Sequence, residues 1–307
     1  MPRYSRNLAI AVKAETIYGQ NAAPTAALNA VLAANVDFQP SVGDAPEREL
    51  VTAQMGHQGV IMVGTYATLA FDFEMAGSGT AGTAPACSPI LRACALKEVI
   101  TAGQDVKYSP ISSQQEAASI LFNDDGVNHI LLGARGNLSG ALTPKGIPRF
   151  RATMTGLLGT ITDAVRQTPV FTSWKKPVPV SKANTTLSLH DYTGPCENFT
   201  FDLGNDIQPR FLIGSESIEH VDRKMTGTAL LEAVLLATKN WFATSEGNVL
   251  GTLNAEHGKT AGNIIGFTAD ALQIGRPTRG ESQKILNNSL PLMMTNLGAN
   301  EFTITFK

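Results

Sequence analysis

The chain has 307 residues, with 24 lysines and arginines against 26 aspartates and glutamates, a formal net charge of −2. No basic stripe or basic excess is present, which argues against a dedicated nucleic-acid binder, because phosphate neutralisation supplies most of such affinity. Charged residues make up only 16%, below the roughly 25% usual in globular chains, and threonine, alanine, glycine and asparagine fill the gap, as suits a β protein that covers itself with its own copies and equally a plain β-rich soluble domain.

In chain order, MPRYSRNLAIAVKAE carries Arg3 and Arg6 but no apolar signal core, since Lys13 and Glu15 interrupt it. No run reaches the ~18 apolar residues that span a bilayer, so cytoplasmic synthesis is expected. LAIAV reads as a first strand. In TLAFDFEM, Leu69, Phe71, Phe73 and Met75 face one way and Asp72 and Glu74 the other; this alternation marks a half-exposed antiparallel strand. SPILRACALKEV reads as a helix with Ser88 as N-cap and Pro89 at the first helical position. Asn123 to Gly126, NDDG, lacks the spacing of a calcium loop and reads as a turn between two strands. RFRATMT follows Gly146 as another alternating strand. RQTPVFTSWKKPVPVSKA, with Pro169, Pro177 and Pro179, reads as an extended linker. TTLSLH, NFTFDLG and EFTITFK add strands, and LLATKNWFATSEG a second short helix that stops at Gly247. The chain is expected to be mainly β, with one short helix in each half.

The halves themselves correspond. Phe38, Gly64 and Thr65 align with Phe201, Gly227 and Thr228 at a constant offset, and TPKG at Thr143 to Gly146 resembles PTRG at Pro277 to Gly280. We expect a diverged tandem duplication: a first β domain over 1–163 with an N-terminal arm to about residue 34, a Pro-rich linker over 164–182, and a second β domain over 183–307. The arm and the linker are the expected contacts between subunits, being extended and poor in core-type aromatics.

Motifs of chemistry fail one by one. Gly77, Gly79 and Gly82 form G-x-G-x-x-G, the dinucleotide fingerprint. Yet the preceding strand has a wet face, Pro85 and Pro89 delay the helix, and neither Glu98 nor Asp105 suits the ribose acid. Gly258-Lys259-Thr260 ends like a P-loop, but the required earlier glycine is Leu253. His57, His129, His190, His220 and His257 share no metal spacing, and His190-Asp191 has no nucleophile elbow beside it; they are expected on strands or at the surface. Cys87, Cys94 and Cys196 match no zinc pattern and read as small buried thiols. The sequons at Asn137, Asn184, Asn198 and Asn287 read as chance matches. No catalytic, cofactor-binding or metal residue is assigned, no cofactor is expected, and an enzyme is disfavoured.

Seven stretches together resemble the major tail tube proteins of long, flexible-tailed (siphovirus-type) bacteriophages. They are LAIAVKAETIYGQNAAPTAALNAVL, VGTYATLAFDFEMAGSGTAGTAPACSPILRACAL, VKYSPISS, LLGARGNLSGALTPKGIPRFRATMTGLLG, ANTTLSLHDY, GSESIEHVDRKMTGT and LLATKNWFA, in that order across nearly the whole chain. Cys87 and Ser88 are a local departure, in a segment that is often aromatic or glycine-containing. The resemblance implies a tail-tube-type β-sandwich or barrel with a flanking helix, and a structural protein of the virion tail. It implies self-assembly into rings that stack into a hollow tube, with the tape measure protein in the lumen, tail terminator and distal tail proteins at the ends, and double-stranded DNA passing on ejection. Single-domain members form hexameric rings, so the ring is expected to be a trimer with pseudo-sixfold symmetry if the chain is duplicated, or a hexamer. A tube of a contractile tail or injection system, or another self-assembling β-sandwich virion module, is the alternative.

Overall fold

The computed structural model describes residues 3–298 and 300–307. In chain order the first half runs β1 (Leu8–Ala14), α1 (Ala26–Asn29), β2 (Ala33–Asp44), β3 (Val63–Glu74), α2 (Ser88–Ala93), β4 (Leu96–Thr101), β5 (Asp105–Pro110), β6 (Ala118–Asp124), β7 (Val127–Leu142), β8 (Arg149–Leu158) and β9 (Thr162–Asp163). The second runs β10 (Thr185–Leu189), β11 (Cys196–Asp202), β12 (Asn205–Leu212), β13 (Ser215–Arg223), β14 (Thr226–Glu232), α3 (Trp241–Glu246), β15 (Leu250–His257), β16 (Ile265–Ile274), β17 (Thr278–Ser282), β18 (Ile285–Met294) and β19 (Thr303–Phe306).

Antiparallel pairing builds the mainly β architecture in two layers. One is ordered β2-β3-β8-β7-β11-β14-β18-β17. The other is ordered β10-β15-β16-β19-β5-β4. The β1-β6 pair joins the first part of β7, with β9 on that strand's opposite side. β7 shifts register between Leu132 and Arg135, where Gly133 takes a positive φ of 56°; such a bulge bends a strand and re-aims its side chains. The β6-β7 turn has positive φ at both Asp125 and Gly126, the backbone of a two-residue hairpin, as NDDG led us to expect.

The alternation read in the sequence becomes the core. Leu69, Phe71 and Phe73 of β3 and Phe150, Ala152 and Met154 of β8 are buried, and so are Phe199 and Phe201 of β11. Phe73, Phe150, Phe201 and Phe267 form a chain of rings with centroids 5.2 to 6.2 Å apart, and Phe302 lies 5.0 Å from Phe201. Each buried phenylalanine contributes about 1.5–3 kcal/mol by leaving water, and ring pairing adds roughly 0.5–1.5. Both halves feed this one cluster.

Strand pairing runs in parallel in the two halves. β3 lies between β2 and β8 as β14 lies between β11 and β18. Phe71 sits opposite Ala152 as Ala229 sits opposite Leu290, and Phe38 opposite Leu69 as Phe201 opposite Gly227. Phe38 and Phe201 therefore hold like positions, but the counterpart of Gly227 is Leu69, not Gly64. Thr143 to Gly146 is a turn before β8, whereas Pro277 to Gly280 runs into β17, so that alignment does not hold in register either. The offset changes because each connection has its own length, and the β4-β5 hairpin has no counterpart in the second half.

Both expected helices are shorter than the sequence suggested, and the first half carries a further one, the single-turn α1, beyond the one expected there. α2 ends before Ala95, whose φ is 58°, and the rest of the expected helix becomes β4. Cys87, not Ser88, stands at its N-cap, and the Ser88 hydroxyl donates to Glu98 instead. In α3 the Asn240 side chain accepts from the Ala243 N–H, and Gly247 closes the helix as read. Within the N-terminal stretch, Ala9, Ile10, Ala11 and Val12 are buried in β1 against β6. The Pro-rich segment carries no strand but packs on the body. Trp174 Nε1 donates to the Ala30 carbonyl at 2.8 Å, and Val180 is buried.

Candidate assembly surface

The eight-strand layer buries one face and presents a polar one. Asp72 and Glu74 of β3, Arg149, Arg151 and Thr153 of β8, Ser139 of β7, Thr200 and Asp202 of β11, and Thr226 and Thr228 of β14 alternate with the buried positions. Arg151 donates to Asp72 at 2.8 Å, and Asn137 Nδ2 to Asp202 at 2.7 Å. A shallow depression on this face, lined among others by Asp72, Ser139, Arg149, Thr200 and Thr228, holds polar groups and no nucleophile–base pair.

The layer has two free edges. Among the described residues β2 pairs only with β3, and β17 only with β18. Unpaired strand edges are templates for another chain. In the middle of the layer the same kind of edge is already satisfied. β7 pairs with β11 over four positions, Ser139–Asp202, Gly140–Phe201, Ala141–Thr200 and Leu142–Phe199. Gly140 makes this joint close, since a Cβ there would stand 2.6 Å from the Phe201 ring and 2.7 Å from Met75.

Beside that joint, the β12-β13 hairpin of the second half seats on the first. The Arg135 guanidinium, buried, donates to the Ile218 carbonyl at 2.8 Å and pairs with Glu219. Asn205 Nδ2 donates to the carbonyls of Cys94 and Gly136 at 2.9 and 3.0 Å, and its N–H to Asn137 Oδ1. His220 Nε2 donates to the Gly136 carbonyl at 3.2 Å, and burial pushes its pKa down to about 4. Tyr18 lies under the Arg135 cation at 4.8 Å, and its hydroxyl accepts from the Ile218 N–H at 2.6 Å. Phe211 stacks on Tyr66 with centroids 6.4 Å apart. No motif in the sequence flagged this seat.

The two nucleotide-like strings meet each other. Gly79 N–H donates to the Gly262 carbonyl at 2.8 Å, and Gly77 N–H to Asn263 Oδ1 at 2.8 Å. A Cβ at Gly77 or Gly82 would overlap backbone of Gly262 or Gly103. The glycines permit backbone to touch backbone.

Three histidines stand on strands, His129 on β7, His220 on β13 and His257 on β15, whereas His190 lies in a turn. His57 is exposed, but His129, His190 and His257 are buried and His220 is half-buried. His190 Nε2 bonds the Leu272 carbonyl at 3.0 Å, and His257 bridges Thr185 and the Val178 carbonyl; burial lowers the pKa of both. Cys87 and Cys94 are buried, whereas Cys196 is only half-buried. Burial raises the thiol pKa of Cys87 to about 12 and of Cys196 to about 11, which keeps both protonated and unreactive.

The eight-strand layer thus has two free edges and one internal joint of the same kind. The family model described as phage tail tube protein matches residues 5–292. The chain belongs to the phage tail tube protein family. It is a viral structural protein of the bacteriophage tail. No curated protein matches the chain. No helix among the described residues is long and apolar enough to cross a membrane.

Proposed function

We propose that this tail tube protein assembles into rings of three chains that stack into the hollow tube of a long, flexible-tailed phage, the conduit for double-stranded DNA on ejection. The internal joint between β7 and β11 is the observation that carries the reading. The halves, 1–163 and 183–307 with the segment 164–182 between them, act as two repeats, and β7–β11 is their joint within the eight-strand layer of one chain. β17 holds the place of that part of β7, since Arg279 faces Asn288 as Gly140 faces Phe150. β2 holds the place of β11. The same joint between chains then pairs Thr278 with Gln39, Arg279 with Phe38 and Gly280 with Asp37 of the next copy, and three chains close six repeats.

The polar face lines the lumen in this arrangement. Asp37, Asp72, Glu74, Asp202 and Glu232 stand on it against Arg149 and Arg151, with Arg135 taken up by the hairpin. A wall with few free cations lets DNA slide, because each lysine or arginine on phosphate adds attraction. Its partners are further copies, the tape measure protein in the lumen, and the tail terminator and distal tail proteins at the ends. The role needs no cofactor, membrane or catalytic step, and synthesis takes place in the host cytoplasm. Cryo-electron microscopy of the purified protein should show rings or tubes with three chains per ring. Six identical chains per ring overturns the trimer, and a protein that stays monomeric overturns the assembly.

A further inference from the structure

We infer that the arm between β2 and β3, residues 45–62, docks in a groove on the second half of the neighbouring copy, between the end of α3 and the crossing of β16 and β18. The inference rests on the ring proposed above and names a contact that edge pairing alone does not require.

The template is the seated hairpin. β12-β13 grows out of the β11-β14 pair and lies on Arg135, Gly136 and Asn137 of β7 and on the end of α2 at Cys94. The arm 45–62 grows out of the β2-β3 pair at the like place, so it has the like destination on the repeat that β2 joins. That destination is present and open. Gln273 faces Met293 as Arg135 faces Thr155, so Gln273, Ile274 and Gly275 stand where Arg135, Gly136 and Asn137 stand. α3 precedes them as α2 precedes β7. A groove of about 450 Å³ lies there, lined by Ser245, Glu246, Asn248, Gln273, Arg276 and Met293 among others. The first half has the hairpin in this position; among the described residues the second half has no hairpin of its own chain there.

The arm has the chemistry of a segment that is covered in its working state. Val51 and Met55 are fully exposed, and Leu50, Ile61 and Met62 are at least half exposed. The groove side adds Met293, Val249 and Leu250, all exposed apolar residues. Apolar side chains concentrated in one exposed segment mark an interaction surface. The occupant is a second copy of this chain, because the intrachain hairpin shows what fits.

Asn205 meets the carbonyl of Cys94 at the end of α2; its counterparts are Val42 at the root of the arm and the residues just after α3. Proteins carrying Val42→Cys and Asn248→Cys singly are mixed under oxidising conditions, with Asp37→Cys and Gly280→Cys as the pair for the sheet edges. The inference expects a disulfide dimer from both mixtures, and covalent trimers from the Val42→Cys, Asn248→Cys double variant. An edge crosslink without the arm crosslink overturns the inference and leaves the ring standing. Neither crosslink, with no rings in micrographs, overturns the ring and the inference with it. Met293→Glu, which puts a charge under the arm at a surface position, is expected to lower the yield of rings about tenfold, as loss of a central contact does, at an unchanged melting temperature of the monomer. Wild-type yield of rings from this variant also overturns the inference.

Discussion

The hairpin β12-β13 and the arm 45–62 leave their strand pairs at like positions, yet they differ in everything that follows. The hairpin has a partner inside its own chain and is ordered by it: a buried arginine, three side-chain-to-carbonyl bonds and a stacked ring hold it. The arm has no such seat, forms one isolated bridge between Glu47 and Val60, and leaves its apolar residues in water. In the proposed ring, two repeats in one chain satisfy one joint internally and leave the other to assembly, and the arm is the same device as the hairpin before its partner arrives.

The largest contrast lies at the sheet joint. Phe201 is buried where β11 meets β7, whereas Phe38, in the like position on the free β2 edge, is only partly buried against Phe122 and His129. Phe201→Ala should cost about 3–5 kcal/mol in chemical denaturation, and Phe38→Ala about half as much or less in the isolated chain, rising once rings form. Equal costs in the isolated chain would mean that the β2 edge is already covered, and the contrast would be lost. The hairpin seat comes next. Arg135→Ala leaves the buried Ile218 carbonyl with only the longer bond from the Tyr18 hydroxyl at 3.3 Å and breaks the pair with Glu219, a loss of about 2–3 kcal/mol, with faster amide exchange over β12 and β13. Gln273→Ala, at the like position under the empty groove, should stay within about 0.5 kcal/mol in the monomer. A Gln273→Ala cost as large as that of Arg135→Ala would show the groove to be occupied within the chain.

The strands were legible because alternation is written residue by residue: β3, β8 and β11 bury the side chains that their sequences assign to one face. The tail tube resemblance was legible for the same local reason, in strings such as AGSGTAGTAP, whose glycines let backbone pack on backbone. The joint was not legible. That Gly140 meets Phe201, and that Arg135 is a buried clamp for the hairpin and not one more surface cation, depends on contacts between residues more than sixty positions apart. The offset between halves misled at Gly64 because an inserted hairpin and unequal connections change the register after every element. Density of Leu50, Val51, Met55, Ile61 and Met62 in a stretch without alternation was the one signal that could have pointed to the arm.

The smallest effect separates the seat from the rest of the molecule by pH. His220 is held neutral first by burial, with Arg135 and Arg223 also opposing its charge, against the Gly136 carbonyl and Glu219, which favour it. Its folded pKa of about 4 lies below the usual 6.5, so on acidification the unfolded chain takes up the proton first. The stability it contributes is complete above pH 6.5 and is lost as pH falls toward 4. Between pH 6.5 and 5.5 the loss from this one group is about 1 kcal/mol. His129, His190 and His257 are also pushed down by burial and add their own slope, so the informative quantity is a difference. His220→Asn, which keeps a donor for the Gly136 carbonyl, should flatten the dependence of unfolding free energy on pH by that amount relative to the wild type. The buried clamp reading fails at this residue if the variant keeps the whole wild-type slope. If the slope flattens, His220 belongs to a seat that is sealed within the chain, which is the property the arm is expected to gain only in the ring.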